Sequence, residues 1–182
     1  LWNFKFEFDS QPGYQKMNKE NKLVPGLPSG FEDRWDKKLL LKKKLLKAIE
    51  KNFIKFGAEA LETPSFEISE NIGSFLAEDE ANPMSDVFSF NDGDKSITLR
   101  YDLSSPLARF YAQNNQELPS IFKRYQIQNV FRNEKAGNGR YREFMQADFD
   151  IVGNVNPAQA NAELCNLISS TLFDCGLNKD QF

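Results

Sequence analysis

Arg132, Glu134, Arg140, Phe144, Gln146, Asp148 and Asp150 all fall within one short stretch, FRNEKAGNGRYREFMQADFD, from Phe131 to Asp150. Their types suggest a chemistry before any scaffold is drawn. Arginines can hold phosphate oxygens through charge-assisted hydrogen bonds, because the planar guanidinium fork matches the anion. A glutamate beside the first arginine can orient that guanidinium or accept from an exocyclic amine. A ring such as Phe144 can stack on a base, a contact worth about 1–3 kcal/mol in nucleic-acid sites. Gln146 and Asp150 suit a small ligand carrying an ammonium or a protonatable ring. The competing reading is a solvated hairpin whose surface ion pairs are worth only ~0–1 kcal/mol each.

Such residues need a scaffold that turns them to one side. Tyr125, Ile127, Asn129 and Phe131 alternate before the cluster, and Phe144, Gln146, Asp148 and Asp150 alternate through it. Alternation of this kind is the mark of strands. Lys135 to Gly139 holds two glycines and an asparagine, so the spacing predicts an antiparallel hairpin with a long tip. Period two puts Phe144, Gln146, Asp148 and Asp150 on one face of the returning strand. Arg132 and Glu134 share a face near the end of the outgoing one. Charged and amide side chains make a poor core but a good polar floor for a charged ligand.

The stretch resembles motif 2 of the class II aminoacyl-tRNA synthetases: Phe131-Arg132-Asn133-Glu134, a loop, then Arg140-Tyr141-Arg142-Glu143-Phe144. Within that class, Gly139 to Asp150 resembles the histidyl-tRNA synthetases. Leu99-Arg100-Tyr101-Asp102-Leu103-Ser104-Ser105-Pro106-Leu107-Ala108-Arg109 is similar to a second block of that family, with Ser104 where threonine is usual. Leu27-Pro28-Ser29-Gly30-Phe31-Glu32-Asp33 is similar to the family's short opening segment. Three ordered blocks are more specific than one short pattern.

The resemblance implies a role for each matching residue. Arg132 would hold the ATP α-phosphate and the amino-acid carboxylate, stabilising charge as the carboxylate attacks phosphorus. Glu134 would lie near the adenine, Arg140 near the outer phosphates, and Phe144 would stack on the base. Asp102 would take the histidine ammonium, with Leu103 and Ser104 completing that wall. Gln146 would meet the backbone end of the amino acid, and Asp150 the imidazole. Asp148 and Arg142 match the family string without an assigned role. Magnesium would bridge the phosphates, and no protein residue is assigned as its ligand. The implied reaction gives histidyl-adenylate and pyrophosphate, then transfer to tRNA(His).

Composition narrows the field. The 182 residues are 40% hydrophobic, with 17 phenylalanines, and the net charge of −3 gives no global basic field for nucleic acid. Histidine is absent, which removes the commonest general base and metal ligand. Cys165 and Cys175 are too few and too far apart for a zinc site. No run of 18 apolar residues and no signal-peptide pattern appears. The expectation is a cytoplasmic, non-membrane protein with reduced thiols.

Along the chain, Leu1 to Phe8 alternates aromatic and polar residues until Gln11-Pro12-Gly13-Tyr14 breaks the pattern. Residues 1–16 read as an upstream or non-native extension, or as an added edge strand. Residues 17–182 read as the N-terminal part of a class II catalytic domain. A helix follows Glu32 or Asp33. Leu39, Leu46, Ile49 and Phe53 form its apolar stripe, Leu45 and Phe56 widen it, and Gly57 caps it. Its six lysines from Lys37 to Lys47 read as a solvated face. Ala60 to Pro64 reads as extended, and this helix–strand–proline order resembles motif 1, which builds the homodimer interface in that class. Glu67 to Asn82 reads as loop with room for a short helix.

Val87 to Arg100 reads as a hairpin turning at Asn91 to Asp94. A helix capped by Ser104 or Ser105 runs to Ala112, and a last one runs from Pro157 to Leu172 and ends at Gly176. The fold class is α+β: an antiparallel sheet with flanking helices. Against the family string, the chain reaches Phe182 before the histidine-specific Arg-Gly-Leu-Asp-Tyr-Tyr-like segment, motif 3 and the anticodon-binding domain. The expectation is that these 182 residues do not catalyse aminoacylation alone. Two rivals stand beside a histidine–tRNA ligase. One is the synthetase-like regulatory subunit of ATP phosphoribosyltransferase, a histidine sensor. The other is a non-catalytic dimerising scaffold.

Overall fold

The computed structural model describes residues 25–73 and 87–182. The extension read over residues 1–16 lies outside the described residues. The elements are α1 (Asp36–Lys55), β1 (Glu59–Ala60), β2 (Phe66–Ile68), α2 (Ser69–Gly73), β3 (Ser89–Asp92), β4 (Lys95–Leu99), α3 (Ser104–Asn114), β5 (Ile121–Phe131), β6 (Glu143–Gly153) and α4 (Pro157–Asp174), followed by a short 3-10 turn, Lys179–Gln181.

The expected hairpin is the spine of the domain. β5 and β6 pair antiparallel along their whole length, from Ile121 opposite Gly153 to Phe131 opposite Glu143. β1 adds to the other edge of β5 in parallel, so this three-stranded sheet is mixed rather than purely antiparallel. The middle of the odd-numbered face is apolar. Tyr125 packs with Phe53, Ala58 and Leu167 in the core, and Ile49, Phe56, Ile127, Ala147, Phe149 and Leu164 close around them. Helices α1 and α4 thus cover one face, and the middle of the even-numbered face carries the polar row of Arg124, Gln126, Gln128, Gln146, Asp148 and Asp150.

Helix α1 begins at Asp36, a few residues later than the expected start after Glu32 or Asp33, and its C-terminal end closes at Gly57 as the sequence predicts. Gly57 has φ +81; its N–H donates to Ile54 O, and the N–H of Ala58 donates to Phe53 O. That double closure satisfies two orphan carbonyls and needs a left-handed residue. Leu45 departs from expectation. It is 44% exposed and lies with Leu41 and Lys44 on the side of α1 that borders Asp174 to Gly176. Helix α4 starts on Asn156, whose side chain accepts from the N–H groups of Ala158 and Gln159. Lys51 and Asn52 of α1 both donate to Asp174 at the end of α4.

Of the segment read as loop with room for a short helix, Glu67 and Ile68 belong instead to strand β2 and α2 is that short helix, while residues 74–82 lie outside the described residues. β2 joins the β3–β4 hairpin in a second sheet, ordered β2-β4-β3. Its polarity is inverted: Glu67 and Thr98 are buried, while Phe66, Ile68 and Phe90 are exposed. Glu67 is held by Arg109 of α3 through two hydrogen bonds of 2.7 and 2.8 Å. Buried Arg100 links the two sheets. Its guanidinium donates to the carbonyls of Asn129 (2.6 Å) and Thr63 (2.8 Å) and to Gln128 Oε1 (3.1 Å).

Candidate functional site

The register of β5 and β6 assembles the polar floor. Arg124 stands opposite Asp150, Gln126 opposite Asp148, Gln128 opposite Gln146 and Val130 opposite Phe144. All these side chains share one face, because each pair has the same parity. Arg132 continues the row beyond β5. The structure therefore brings Arg132, Phe144, Gln146, Asp148 and Asp150 onto one floor, as the alternation predicts.

At the open end, the Arg132 guanidinium lies 4.4 Å from the Tyr101 ring centroid and 5.1 Å from that of Phe144. Two rings on one cation fix its plane without consuming most of its N–H donors. Its Nε donates to Tyr101 O at 3.4 Å. Tyr101 Oη donates to Glu134 Oε1 at 3.1 Å, and Glu134 Oε2 pairs with Arg140. Arg132, Glu134, Gly139, Arg140, Tyr141 and Phe144 line an open depression of 280 Å³. Two arginines, a carboxylate and an aromatic ring thus meet at one mouth. A larger apolar groove of 390 Å³ between α1, α4 and β6 has no charged lining and offers no comparable chemistry.

The deep end of the floor is acidic. Asp102, just before α3, spends one oxygen on the helix: Oδ1 accepts from the Ser105 N–H at 3.0 Å. The cap of α3 is therefore Asp102 and not a serine, since the residue before the helix, Leu103, makes no side-chain cap bond. Leu103 is fully buried and its carbonyl accepts from Arg124 Nη2 at 3.1 Å, whereas Ser104 is exposed. Asp150 Oδ2 lies 2.7 Å from Arg124 Nη2. Burial pushes Asp148 above the ordinary carboxylate range, Asp150 and Asp102 add to the rise, and Arg124 opposes it. Gln146 Oε1 is buried without a hydrogen-bond partner, a cost that a donor on a ligand would relieve.

Sequence reasoning missed Arg124, Gln126 and Gln128. All three stand on the floor, and Arg124 and Gln126 are completely buried. Counting back from Arg132 in steps of two would have found them. Arg142, left without a role, packs over the Phe88 ring at 4.5 Å and ties the 27–33 segment to the hairpin.

Residues 30–182 match the family model described as Histidyl-tRNA synthetase. The chain is 80% identical over 166 residues to the histidine–tRNA ligase of Pelagibacter ubique (strain HTCC1062), covering 91% of this chain and 36% of that protein. It spans about a third of the length of the curated relatives it matches. A histidyl-tRNA synthetase structure from Nostoc sp. PCC 7120 superimposes with a TM-score of 0.69 at 26% identity, covering 81% of this chain and 34% of that one. An ATP phosphoribosyltransferase regulatory subunit/histidyl-tRNA synthetase from Bacillus halodurans C shares the fold, with a TM-score of 0.74 at 23% identity over 87% of this chain and 40% of that one. With the family model matching residues 30–182, the chain belongs to the histidyl-tRNA synthetase family.

Proposed function

We propose that this floor is the ATP- and histidine-facing part of a histidine–tRNA ligase, where L-histidine is activated to histidyl-adenylate before transfer to tRNA(His). The observation that carries the reading is the Arg132 guanidinium, set over both the Tyr101 and Phe144 rings at the head of a row that ends in Asp150. An arginine so fixed can bridge the attacking carboxylate and the α-phosphate, where charge builds as the phosphorus–oxygen bond to pyrophosphate breaks. Phe144 stacks the adenine, Glu134 reads its edge, and Arg140 takes the outer phosphates. Asp102, through the oxygen not capping α3, takes the ammonium; Ser104 and the Leu103 backbone form that wall. Gln146 and Asp150 meet the amino-acid backbone and the imidazole.

Magnesium finds no ready cage here. Among the described residues, no group of three His, Cys, Asp or Glu side chains is placed to hold a metal ion, and Glu134 is already engaged by Tyr101 and Arg140. No step is routed through the ion. In this reading residues 17–182 belong to a class II catalytic domain working as a homodimer in the cytoplasm. Among the described residues no helix is long and apolar enough to cross a membrane. A histidine sensor has no evident use for the Arg132–Glu134–Arg140 cluster, which favours the ATP-using reading.

The test is to seat this chain in place of the matched third of the Pelagibacter ubique relative and assay histidine-dependent ATP–pyrophosphate exchange. Exchange that is lost on Arg132→Ala supports the reading. A folded chimera that binds histidine but exchanges no pyrophosphate would favour a sensor.

A further inference from the structure

Arg124 is 0% exposed, and its single guanidinium reaches both Leu103 and Asp150, which stand on two sides of the proposed amino-acid site. Nη2 donates to Leu103 O at 3.1 Å and lies 2.7 Å from Asp150 Oδ2, while Nη1 donates to Gln126 Oε1 at 3.1 Å. Leu103 stands between Asp102 and Ser104, so the grip on its carbonyl fixes the backbone that presents both. Asp150 Oδ2 is wholly buried although the side chain as a whole is 34% exposed. The other oxygen, Oδ1, is therefore the one able to meet a ligand.

Stability is a weak explanation for this arrangement. Burying a guanidinium carries a large desolvation cost, and replacing buried ion pairs with well-packed apolar residues is often neutral or stabilising. What the pair does supply is position and charge. Asp102, before α3, and Asp148 and Asp150, on β6, all act on Arg124. The adjoining β5 side chain, Gln126, is neutral. Arg124 is the cation that these three carboxylates share.

We propose that Arg124 is a positioning and specificity residue of the amino-acid pocket, fixing Asp150 as a hydrogen-bond acceptor and the Asp102–Ser104 backbone as its opposite wall, so that the pocket selects a side chain that donates a hydrogen bond. This rests on the reading that the pocket takes histidine. Without Arg124, Asp148 loses the guanidinium that opposes its protonation, and a protonated Asp148 would put a donor on the floor beside the Asp150 acceptor.

The experiment is an NMR-detected titration of the 182-residue chain with L-histidine and, separately, with ATP. The unsubstituted chain is compared with Arg124→Met, which keeps length without charge, and Arg124→Lys, which keeps charge. The Met variant should bind histidine about tenfold more weakly and ATP within about twofold of the parent. Its histidine affinity should also begin to fall at a higher pH as the solution is acidified. The Lys variant should recover most of the loss. A Met variant that binds histidine unchanged would overturn the proposal. So would one that loses both ligands in parallel with its melting temperature and with an unmoved pH profile, the behaviour of a merely structural residue. Binding of ATP but not histidine by the unsubstituted chain would defeat the histidine reading itself, and this inference with it.

Discussion

Gly30 and Arg142 occupy each other's space: a β-carbon built on Gly30 would lie 2.6 Å from Arg142 Cγ. The N–H of Arg142 donates to Gly30 O at 2.8 Å, so the short 27–33 segment is pinned to the base of the hairpin loop. Gly30 also has φ +83, a conformation that costs an L-residue about 1–2 kcal/mol. Gly30→Ala should therefore destabilise the chain by about 1–3 kcal/mol and draw Arg142 off the Phe88 ring. Urea denaturation reads the first effect, and the ring-current shift of Phe88 neighbours reads the second.

Arg132→Lys keeps the charge but not the plane. A lysine ammonium cannot lie flat between Tyr101 and Phe144 while presenting a fork to two oxygens. In the chimera, pyrophosphate exchange should fall by about 10²-fold, while thermal unfolding stays near the parent's. Exchange within a few-fold of the parent would show that charge alone suffices.

Asp148 gives the chain a pH signature. Its folded-state pKa is raised, chiefly by burial, so the native state holds a proton that the unfolded chain releases. The native state then binds more protons, and stability falls as pH rises from the ordinary aspartate value through the raised one. Asp148→Asn removes this term. The variant should gain stability over the parent at neutral pH and converge with it in acid, a comparison made by denaturation across pH. A constant offset at every pH would contradict the assignment.

Arg109→Ala should leave Glu67 buried and unpaired beneath the small sheet. Breaking a fully buried pair costs about 3–5 kcal/mol. Arg109 keeps 24% of its side-chain surface exposed against 4% for Glu67, so about 1–3 kcal/mol is expected after allowing for solvent. Glu67→Gln in the same background should recover much of it, and a double-mutant cycle isolates the pair.

Where local chemistry decides, the sequence was readable. Gly57, Pro157 and Gly176 stop and start helices by backbone rules, and the alternations over 125–131 and 144–150 predict both the hairpin and its polar face. Arg124, Gln126 and Gln128 were passed over because the visible alternation in β5 is the apolar one, Tyr125 and Ile127. Nothing in an isolated strand says whether its polar partners face water or a buried floor. Asp102 outcompeted the serines as cap because it stands before the first turn with an acceptor within reach of the Ser105 N–H. β2 and the inverted small sheet could not be read locally. The burial of Glu67 depends on Arg109, 42 positions away, and β1 is a strand only because β5 lies beside it. Those are tertiary facts, invisible to periodicity.

Arg140 is clasped to Glu134 across an exposed contact, and an anion that is to use this guanidinium must first open the clasp. Dissolved salt weakens both the clasp and the attraction to the incoming anion. The two effects oppose one another, so nucleotide affinity should decline less steeply with ionic strength than the number of arginines at the mouth would suggest. Glu134→Gln, which loosens the clasp, should steepen that decline.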